Sequence, residues 1–196
     1  MQRGRNRLRI IGGEWRGRKL SFPDLPDLRP TPDRVRETLF NWLRDILPGA
    51  RCLDLFTGSG ALALEALSRG AEEVVMVDRN SAVVAQLHEH IRHLQVSNAR
   101  VIQTEALAFL QGTPRPFDVV FLDPPFQGGL LEPCLTRLTV TGWLAPTAWV
   151  YVEADRRTPL PPLPDDWTVS RHKEAGQVGY YLLHRITVGN TQGDSP

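Results

Sequence analysis

Residues 51–80 read RCLDLFTGSGALALEALSRGAEEVVMVDRN, and this stretch decides the fold. An apolar run ends in Asp54, a turn with Gly58 and Gly60 follows, and a periodic Ala/Leu segment leads to a second apolar run that ends in Asp78. A glycine-rich turn between a strand and a helix lets the backbone approach a ligand closely, at the strand ends where open α/β sheets place their sites. The stretch therefore predicts a strand, a ligand-binding loop, a helix and a second strand.

The alternation of strands and helices continues along the chain. Apolar runs predict strands near residues 51–56, 73–79, 100–104, 117–123 and 148–154, with helical segments between them. The segment WTVSRHKEAGQVGYYLLHRI predicts two more strands around a turn at Gly176. We therefore predict an α/β fold, a Rossmann-like and mostly parallel seven-stranded sheet with an antiparallel last strand.

The chain divides into three predicted regions. Residues 1–28 form a basic arm and a β-hairpin, with Gly12 and Gly13 at its turn, residues 29–186 form the main domain, and residues 187–196 are a disordered tail. Between the hairpin and the first strand of the main domain, a helix is predicted to begin at Thr31-Pro32 or Asp33 and to end near Leu47. Its apolar positions recur at helical spacing: Val35, Leu39, Leu43 and Ile46.

Composition sets the broad class. The 196 residues are 41% hydrophobic and 23% charged, which suits one well-buried globular domain with a small appendage. No apolar run reaches membrane-spanning or signal-peptide length, so we expect a soluble, cytoplasmic protein with no membrane contact. Two cysteines, Cys52 and Cys134, are too few for a disulfide framework or a metal cluster, and no bound metal is expected.

Positive charge is concentrated at the start of the chain. Residues 1–20 carry seven Arg or Lys and one acid, Glu14. Such a cluster is typical of contact with a polyanion, and a merely solvated arm is the alternative.

Two cofactor classes fit the glycine turn and the acid at the end of the next strand. Asp78 is placed to accept hydrogen bonds from both hydroxyls of a ribose. The spacing Gly58-x-Gly60-x-x-Ala63 is a tolerable match to the fingerprint of nicotinamide dinucleotide proteins. Asp54 followed by Phe56-x-Gly58-x-Gly60 instead resembles the first motif of methyltransferases that act on amines and use S-adenosylmethionine.

The segment FDVVFLDPPF at the end of the fourth predicted strand favours the second class. Asp123-Pro124-Pro125-Phe126 resembles the Asp-Pro-Pro-aromatic motif of enzymes that methylate an exocyclic amine on a base. Asp123 can accept one amine N–H and the Pro124 carbonyl another, which turns the nitrogen lone pair toward the methyl donor. Phe126 supplies a face on which the base stacks, and the prolines stiffen the loop.

Two other patterns are set aside. Pro133-Cys134 resembles the dipeptide that carries the nucleophile of cytosine-C5 methyltransferases. It lies about ten residues beyond the strand, in a predicted helix, so we interpret Cys134 as structural. His88, His90 and His93 lack a Cys or an acid to complete a metal site, and we interpret them as a solvated helix face.

In combination, four segments resemble one bacterial family, the 16S ribosomal RNA guanine-N2 methyltransferases or RsmD family. They are RIIGGEWRGRKL, LRPTPDRVRETLFNWL, LDLFTGSGALALEALSRGA, and DPPF followed by GGLL, and the resemblance covers residues 9–186. It implies a class I S-adenosylmethionine-dependent methyltransferase fold and methyl transfer to guanine N2 in 16S rRNA, with S-adenosylhomocysteine as the product. It also implies rRNA as the partner, in a small-subunit assembly particle, and we expect a monomer.

The resemblance also implies roles for individual residues. Guanine would be held by Asp123, Pro124, Pro125 and Phe126. Cofactor contacts would come from Thr31, Asp54, Phe56, Thr57, Gly58, Ser59, Gly60, Asp78, Arg79, Glu105 and Ala106. Many relatives have Asp where this chain has Glu105. Thr31 and Arg34 would close over either the cofactor or the target nucleotide.

RNA phosphates would be bound by a basic cluster, defined here as Arg7, Arg9, Arg16, Arg18 and Lys19, together with Arg34. The alternatives are an amino-methyltransferase acting on DNA adenine or on another RNA, a non-catalytic RNA-binding assembly factor, and a nicotinamide dehydrogenase.

Overall fold

The computed structural model describes residues 6–25 and 28–186. The predictions for residues 1–5 of the arm, for residues 26–27 and for the tail, 187–196, lie outside the described residues. Nine strands are described: β1 Asn6–Arg9, β2 Lys19–Phe22, β3 Arg51–Asp54, β4 Glu73–Asp78, β5 Ala99–Gln103, β6 Phe117–Leu122, β7 Leu144–Asp155, β8 Trp167–Ala175 and β9 Val178–Ile186. The described α-helices are α1 Asp33–Trp42, α2 Ala61–Ser68, α3 Ser81–Leu94, α4 Ala106–Phe109 and α5 Leu131–Val140.

Seven strands form one sheet in the order β5-β4-β3-β6-β7-β9-β8. The pairs from β5 to β7 are parallel, whereas β9 runs antiparallel to both of its neighbours. Gly176, with φ +60°, lies between β8 and β9, as the sequence predicted. The predicted mostly parallel sheet with an antiparallel last strand is confirmed, and β7 is longer than expected because it begins at Leu144.

Apolar side chains cover both faces of this sheet, as a doubly wound fold requires. Alternate residues of the central strands point to opposite faces. One face packs against the hairpin and helices α1, α2 and α3, through residues such as Cys52, Met76 and Phe121. The other packs against α4 and α5, through residues such as Leu53 and Leu122.

The N-terminal strands pair antiparallel, as predicted, but the connection between them is not a tight turn at Gly12-Gly13. Residues 10–18 form a longer loop that packs on α2, because Ile10 and Trp15 are buried in the main core. Gly13 adopts φ +76° and lies so close to the backbone of Ser68 that a Cβ would collide with it. The hairpin is therefore docked on the sheet domain.

One buried carboxylate fastens this loop to α2. Glu65 is fully buried, and its two oxygens accept the backbone N–H groups of Ile11 (2.8 Å) and Gly12 (2.7 Å). Arg69 donates to it at 2.8 Å, and the buried Arg36 lies 3.5 Å away. A buried charge is tolerated only when it is paired and hydrogen-bonded, which this arrangement provides.

Helix α1 is shorter than predicted. It ends at Trp42, and residues 43–46 form turns. Leu43 is buried as the spacing indicated, whereas Ile46 is only half-buried and the neighbouring Leu47 is buried. Its N-terminal turn is tied to the hairpin through Arg36, which donates to the carbonyls of Thr31 (3.1 Å) and Arg9 (3.0 Å).

The interpretation of the three histidines is wrong for His90. Its side chain is buried, and its Nε2 lies 2.7 Å from the carbonyl oxygen of Ser21 in β2. Helix α3 packs under the hairpin, so this position faces protein where the sequence pattern indicated solvent. His88 and His93 are exposed, as expected.

Among the residues that the structure describes, none belongs to a helix both long and apolar enough to cross a membrane.

Candidate active site

Four acidic side chains lie in or directly after neighbouring parallel strands. Asp54 ends β3, Asp78 ends β4, and Asp123 follows β6. The fourth, Glu153, lies in β7, where Val152 pairs with Leu122, the residue before Asp123. All four occupy positions whose side chains share the face covered by α1, α2 and α3, because they are even numbers of residues from buried members of that face. Parallel pairing therefore gathers these carboxyl groups at one edge of the sheet.

The glycine loop between β3 and α2 is held by Asp78. One oxygen of its carboxylate accepts the Gly58 N–H at 3.0 Å, and the other accepts the Asn80 N–H at 2.8 Å. Gly58 and Gly60 have φ of +51° and +80°, which a residue with a side chain adopts only under strain. A Cβ on Gly58 would come within 2.9 Å of Leu28, so the segment before α1 lies against this loop.

Thr57 stabilises the glycine loop through hydrogen bonds of its side chain. Its buried hydroxyl donates to the Asp54 carbonyl at 3.0 Å and accepts the Val77 N–H at 3.1 Å, joining the ends of β3 and β4. Ser59 is also buried, and Phe56 is half-buried. The loop is therefore preorganised by the protein itself.

Asp54 is the most deeply buried of the clustered acids, with 2% of its surface exposed. Burial raises the pKa of its carboxyl group from 3.8 to about 7, against the opposing effect of the Phe56 N–H, and the nearby charge of Asp78 raises it further. A positive charge next to a carboxyl group in this state would lower its pKa, because the ionised form is then favoured.

The Asp-Pro-Pro-Phe segment leaves the sheet at this edge. Pro124 is buried, and Pro125 and Phe126 are exposed, with 47% of the surface of Phe126 accessible. A short 3-10 helix over Phe126–Gly128 follows. Asp123 is half-buried. Within residues 6–25 and 28–186, no donor forms a hydrogen bond to its carboxyl group. An acidic side chain that accepts no hydrogen bond from the described residues and an exposed aromatic ring therefore lie three residues apart in this segment.

Glu153 and Tyr151 were not identified from the sequence. Glu153 is buried, and its Oε1 accepts hydrogen bonds from the hydroxyls of Tyr151 (2.8 Å) and Thr31 (3.1 Å). Burial raises the pKa of Glu153, and these two donors lower it in part. The available signal was a single acid inside the apolar run VYVEA, since buried acids are rare unless they are paired.

The remaining predicted cofactor residues lie just after β4 and β5. Arg79 and Glu105 form an exposed ion pair of 3.5 Å, and Ala106 is buried at the start of α4. The Thr104 N–H donates to the Asp78 carbonyl at 3.1 Å, which brings this segment next to Asp78.

Cys134 is buried in α5, and burial raises the pKa of its thiol to about 11. Because only the thiolate is nucleophilic, the interpretation of Cys134 as a structural residue is supported.

All five residues of the basic cluster are exposed on the hairpin and its connecting loop. Arg9 lies 3.4 Å from Asp33, an ion pair at the protein surface. Arg34 is exposed in the first turn of α1.

The donor set fits an S-adenosyl cofactor. Asp54 and Asp78 offer carboxylates to a ligand with positive charge and ribose hydroxyls, beside a loop whose glycines keep the backbone open. The sheet order, the glycine loop and the Asp-Pro-Pro-Phe segment define a class I, S-adenosylmethionine-dependent methyltransferase.

Comparison with known proteins gives the family. Residues 8–184 match the family described as Conserved hypothetical protein 95. Ribosomal RNA small subunit methyltransferase D of Escherichia coli is 49% identical over 191 residues, 97% of this chain and 96% of that protein. The protein of the same name from Haemophilus influenzae is 46% identical over 180 residues, 89% and 92% of the two chains. The chain therefore belongs to this methyltransferase family, as its motifs indicated.

A solved structure supports the same assignment. The structure titled putative methyltransferase yhhF from Escherichia coli aligns with this chain with a TM-score of 0.87 at 48% identity. The match covers 92% of this chain and 99% of the other. The predicted fold class is thereby confirmed.

Proposed function

We propose that this protein transfers a methyl group from S-adenosylmethionine to the exocyclic N2 amine of a guanine in 16S ribosomal RNA. The observation that carries this proposal is the Asp123 carboxylate, which accepts no hydrogen bond from the described residues, followed three residues later by the exposed Phe126, at the sheet edge that holds the glycine loop. The names of the relatives support small-subunit rRNA as the substrate class.

The cofactor is assigned to the glycine loop and the strand ends around it. S-adenosylmethionine supplies a methyl group on a positively charged sulfur. Asp78 binds the ribose through lone pairs that its two backbone hydrogen bonds leave free, since each carboxylate oxygen can accept twice. Asp54 supplies negative charge under the loop, and Glu105 and Ala106 lie beside the base of the cofactor.

The target amine is assigned to Asp123 and Pro124. The lone pair of an amine on guanine is delocalised into the ring, so the site must orient the amine and favour its pyramidal form. Asp123 and the Pro124 carbonyl each accept one N–H, and Phe126 stacks on the base that has been turned out of its RNA surroundings. The exposure of Phe126 leaves its ring available for this contact.

The RNA is assigned to the hairpin. The basic cluster is exposed, and the hairpin is docked on α2 through Glu65, so the positive charges have a fixed position relative to the site. Contacts with phosphates supply affinity and salt dependence, while the Asp-Pro-Pro-Phe loop selects the amine. Arg34 extends the same surface toward the site.

The substrate form proposed is a small-subunit particle in the cytoplasm, and the active species proposed is a monomer. The clustered acids, the glycine loop and the hairpin all belong to one chain, so the proposed site requires no second subunit. Sedimentation of the protein alone at working concentration would test that state.

The experiment is transfer of labelled methyl groups to small-subunit particles from a strain lacking the enzyme, followed by nucleoside mass spectrometry. Labelled N2-methylguanosine at one position is expected, and naked 16S rRNA and DNA are the parallel substrates. A labelled methyladenine, or equal labelling of DNA, would support the alternative amino-methyltransferase and overturn the guanine assignment.

A further inference from the structure

We propose that Glu153 is a positioning residue that acts through Asp123: its buried carboxylate makes Asp123 the group that takes the proton released by the methylated amine. This deepens the proposed function and rests on it for the identity of the amine. The relationship between the two carboxyl groups can be tested without any substrate.

The reaction leaves a proton to be removed. When the nitrogen lone pair forms a bond to the methyl carbon, the bond from that carbon to sulfur breaks and its electron pair stays on sulfur. The nitrogen then carries a positive charge until it loses one of its two protons. A base works best when its pKa lies near the operating pH, whereas an ordinary aspartate has a pKa near 3.9 and is a weak base.

The sheet places Glu153 beside Asp123. Leu122 and Val152 are partners in the parallel pairing of β6 and β7. The next residues along the chain, Asp123 directly after β6 and Glu153 in β7, therefore lie at the same level and on the same face of the sheet. Burial raises the pKa of Asp123 well above its ordinary value, and the charge of Glu153, followed by that of Asp54, raises it further. Like charges held close together disfavour ionisation of both groups.

Two hydroxyl donors decide which of the pair ionises first. Tyr151 and Thr31 donate to Glu153, whereas Asp123 has no such donor among the described residues. Hydrogen bonds to a carboxylate favour its charged form, so Glu153 holds the negative charge and Asp123 becomes the stronger base. Because Tyr151 is buried and faces Glu153, its own pKa is raised well above 10, and it remains a donor at neutral pH.

The other groups around the pair are consistent with this assignment. Asp54 in β3 adds negative charge, and Asp78 in β4 acts on Asp54. Tyr180 in β9 pairs with Glu153 across the strands and contributes to the raised pKa of Tyr151. The guanidinium of Arg36 donates to the carbonyl of Thr31 and so fixes the residue whose hydroxyl reaches Glu153.

The direct test is a carbon-13 NMR titration of aspartate carboxyl groups in the free protein, with Asp123→Asn used to assign the Asp123 signal. In the parent protein Asp123 should titrate well above the usual range. Glu153→Gln, which keeps the shape and removes the charge, should lower its midpoint by about one pH unit or more. An unchanged midpoint in a folded Glu153→Gln protein would overturn the proposal.

Two further variants guard against misfolding of Glu153→Gln. Thr31→Val removes one donor, so Glu153 ionises less readily and the Asp123 midpoint should again fall, whereas Thr31→Ser keeps the hydroxyl and should restore it. Glu72→Gln, an exposed acid between α2 and β4, is the matched control and should leave the midpoint in place. Equal midpoints in Thr31→Val and Thr31→Ser would count against the proposal.

Single-turnover methyl transfer as a function of pH gives the second readout. In Glu153→Gln the acid limb of the rate profile should move to lower pH and the plateau should fall, while RNA and cofactor affinities stay unchanged. A lower plateau without movement of the limb would mean that Glu153 is only structural. Absence of transfer by the parent protein would refute the proposed function and leave the NMR result standing.

Discussion

The hydroxyl of Thr31 donates a 3.1 Å hydrogen bond to the carboxylate of Glu153, a residue 122 positions further along the chain. This contact joins the segment before α1 to the edge of the sheet where Asp123 lies. The carbonyl of the same threonine accepts from Arg36, which also binds the end of the hairpin through the carbonyl of Arg9. The hairpin that carries the basic cluster and the sheet edge that carries the clustered acids are therefore linked by one short series of hydrogen bonds.

Replacing Asp123 should remove activity without unfolding the protein. Loss of one preorganised group at a reacting centre typically lowers the rate about 10² to 10³-fold, and Asp123→Ala should do so in single-turnover methyl transfer. Cofactor affinity, measured by calorimetry, should be nearly unchanged because the glycine loop and Asp78 are intact. A variant that methylates at the parent rate would show Asp123 to be only a strand end.

Phe126→Ala should weaken capture of the base. Stacking of a base on an aromatic ring contributes about 1 to 3 kcal/mol, so the apparent KM for small-subunit particles should rise accordingly. Phe126→Tyr keeps the ring and should behave as the parent. Val140→Ala, at an exposed apolar position at the end of α5, is the control. If KM is unaffected in Phe126→Ala, the ring does not contact the substrate.

Neutralising the basic cluster should weaken RNA binding and its dependence on salt. Each lost contact between a side chain and an RNA phosphate should reduce the slope of log affinity against log salt by about 0.7. Binding assays over a salt series should compare this variant with Arg171→Ala/Lys173→Ala, which removes exposed charge from the edge strand β8. If both variants keep the parent slope, the cluster is a solvated surface.

The pH dependence of stability should report Asp54. Its pKa is raised from 3.8 to about 7 in the folded chain, so the folded state holds the proton more tightly than the unfolded state. The stability that this group contributes is full below pH 4 and is lost as pH rises toward 7. Denaturation across this range should show the loss in the parent and a smaller one in Asp54→Asn. Parallel curves for the two proteins would contradict the raised pKa.

Glu65→Ala should loosen the hairpin. The substitution removes the acceptor of two backbone N–H groups and one of the two ionic partners of Arg36, which keeps its ion pair with Asp33. Leaving a buried donor without its acceptor typically costs about 1 to 3 kcal/mol. Hydrogen exchange at the amides of Ile11 and Gly12 should accelerate. Glu72→Ala, in the exposed loop before β4, should not change it. Unchanged protection at Ile11 and Gly12 would mean that the loop is held by its apolar contacts alone.

The sequence by itself determined the features that are encoded locally. Apolar runs alternating with segments of helical periodicity predicted the parallel sheet, because each of these patterns lies within a single strand or helix. The glycine turn after β3 and the Asp-Pro-Pro-Phe segment after β6 were visible as short motifs, and their places at strand ends were confirmed. The antiparallel return of β9 followed from the turn at Gly176.

Only the tertiary structure decided which distant residues meet. Glu153 is one acid in an apolar run until the pairing of β6 with β7 places it beside Asp123, and Thr31 reaches it only because α1 packs over the same face. The prediction that His90 faces solvent was wrong for the same reason, because helical periodicity does not show that a hairpin covers α3. Local sequence sets which groups are present on each element, but burial and neighbouring charge, which set their chemistry, depend on contacts across the whole fold.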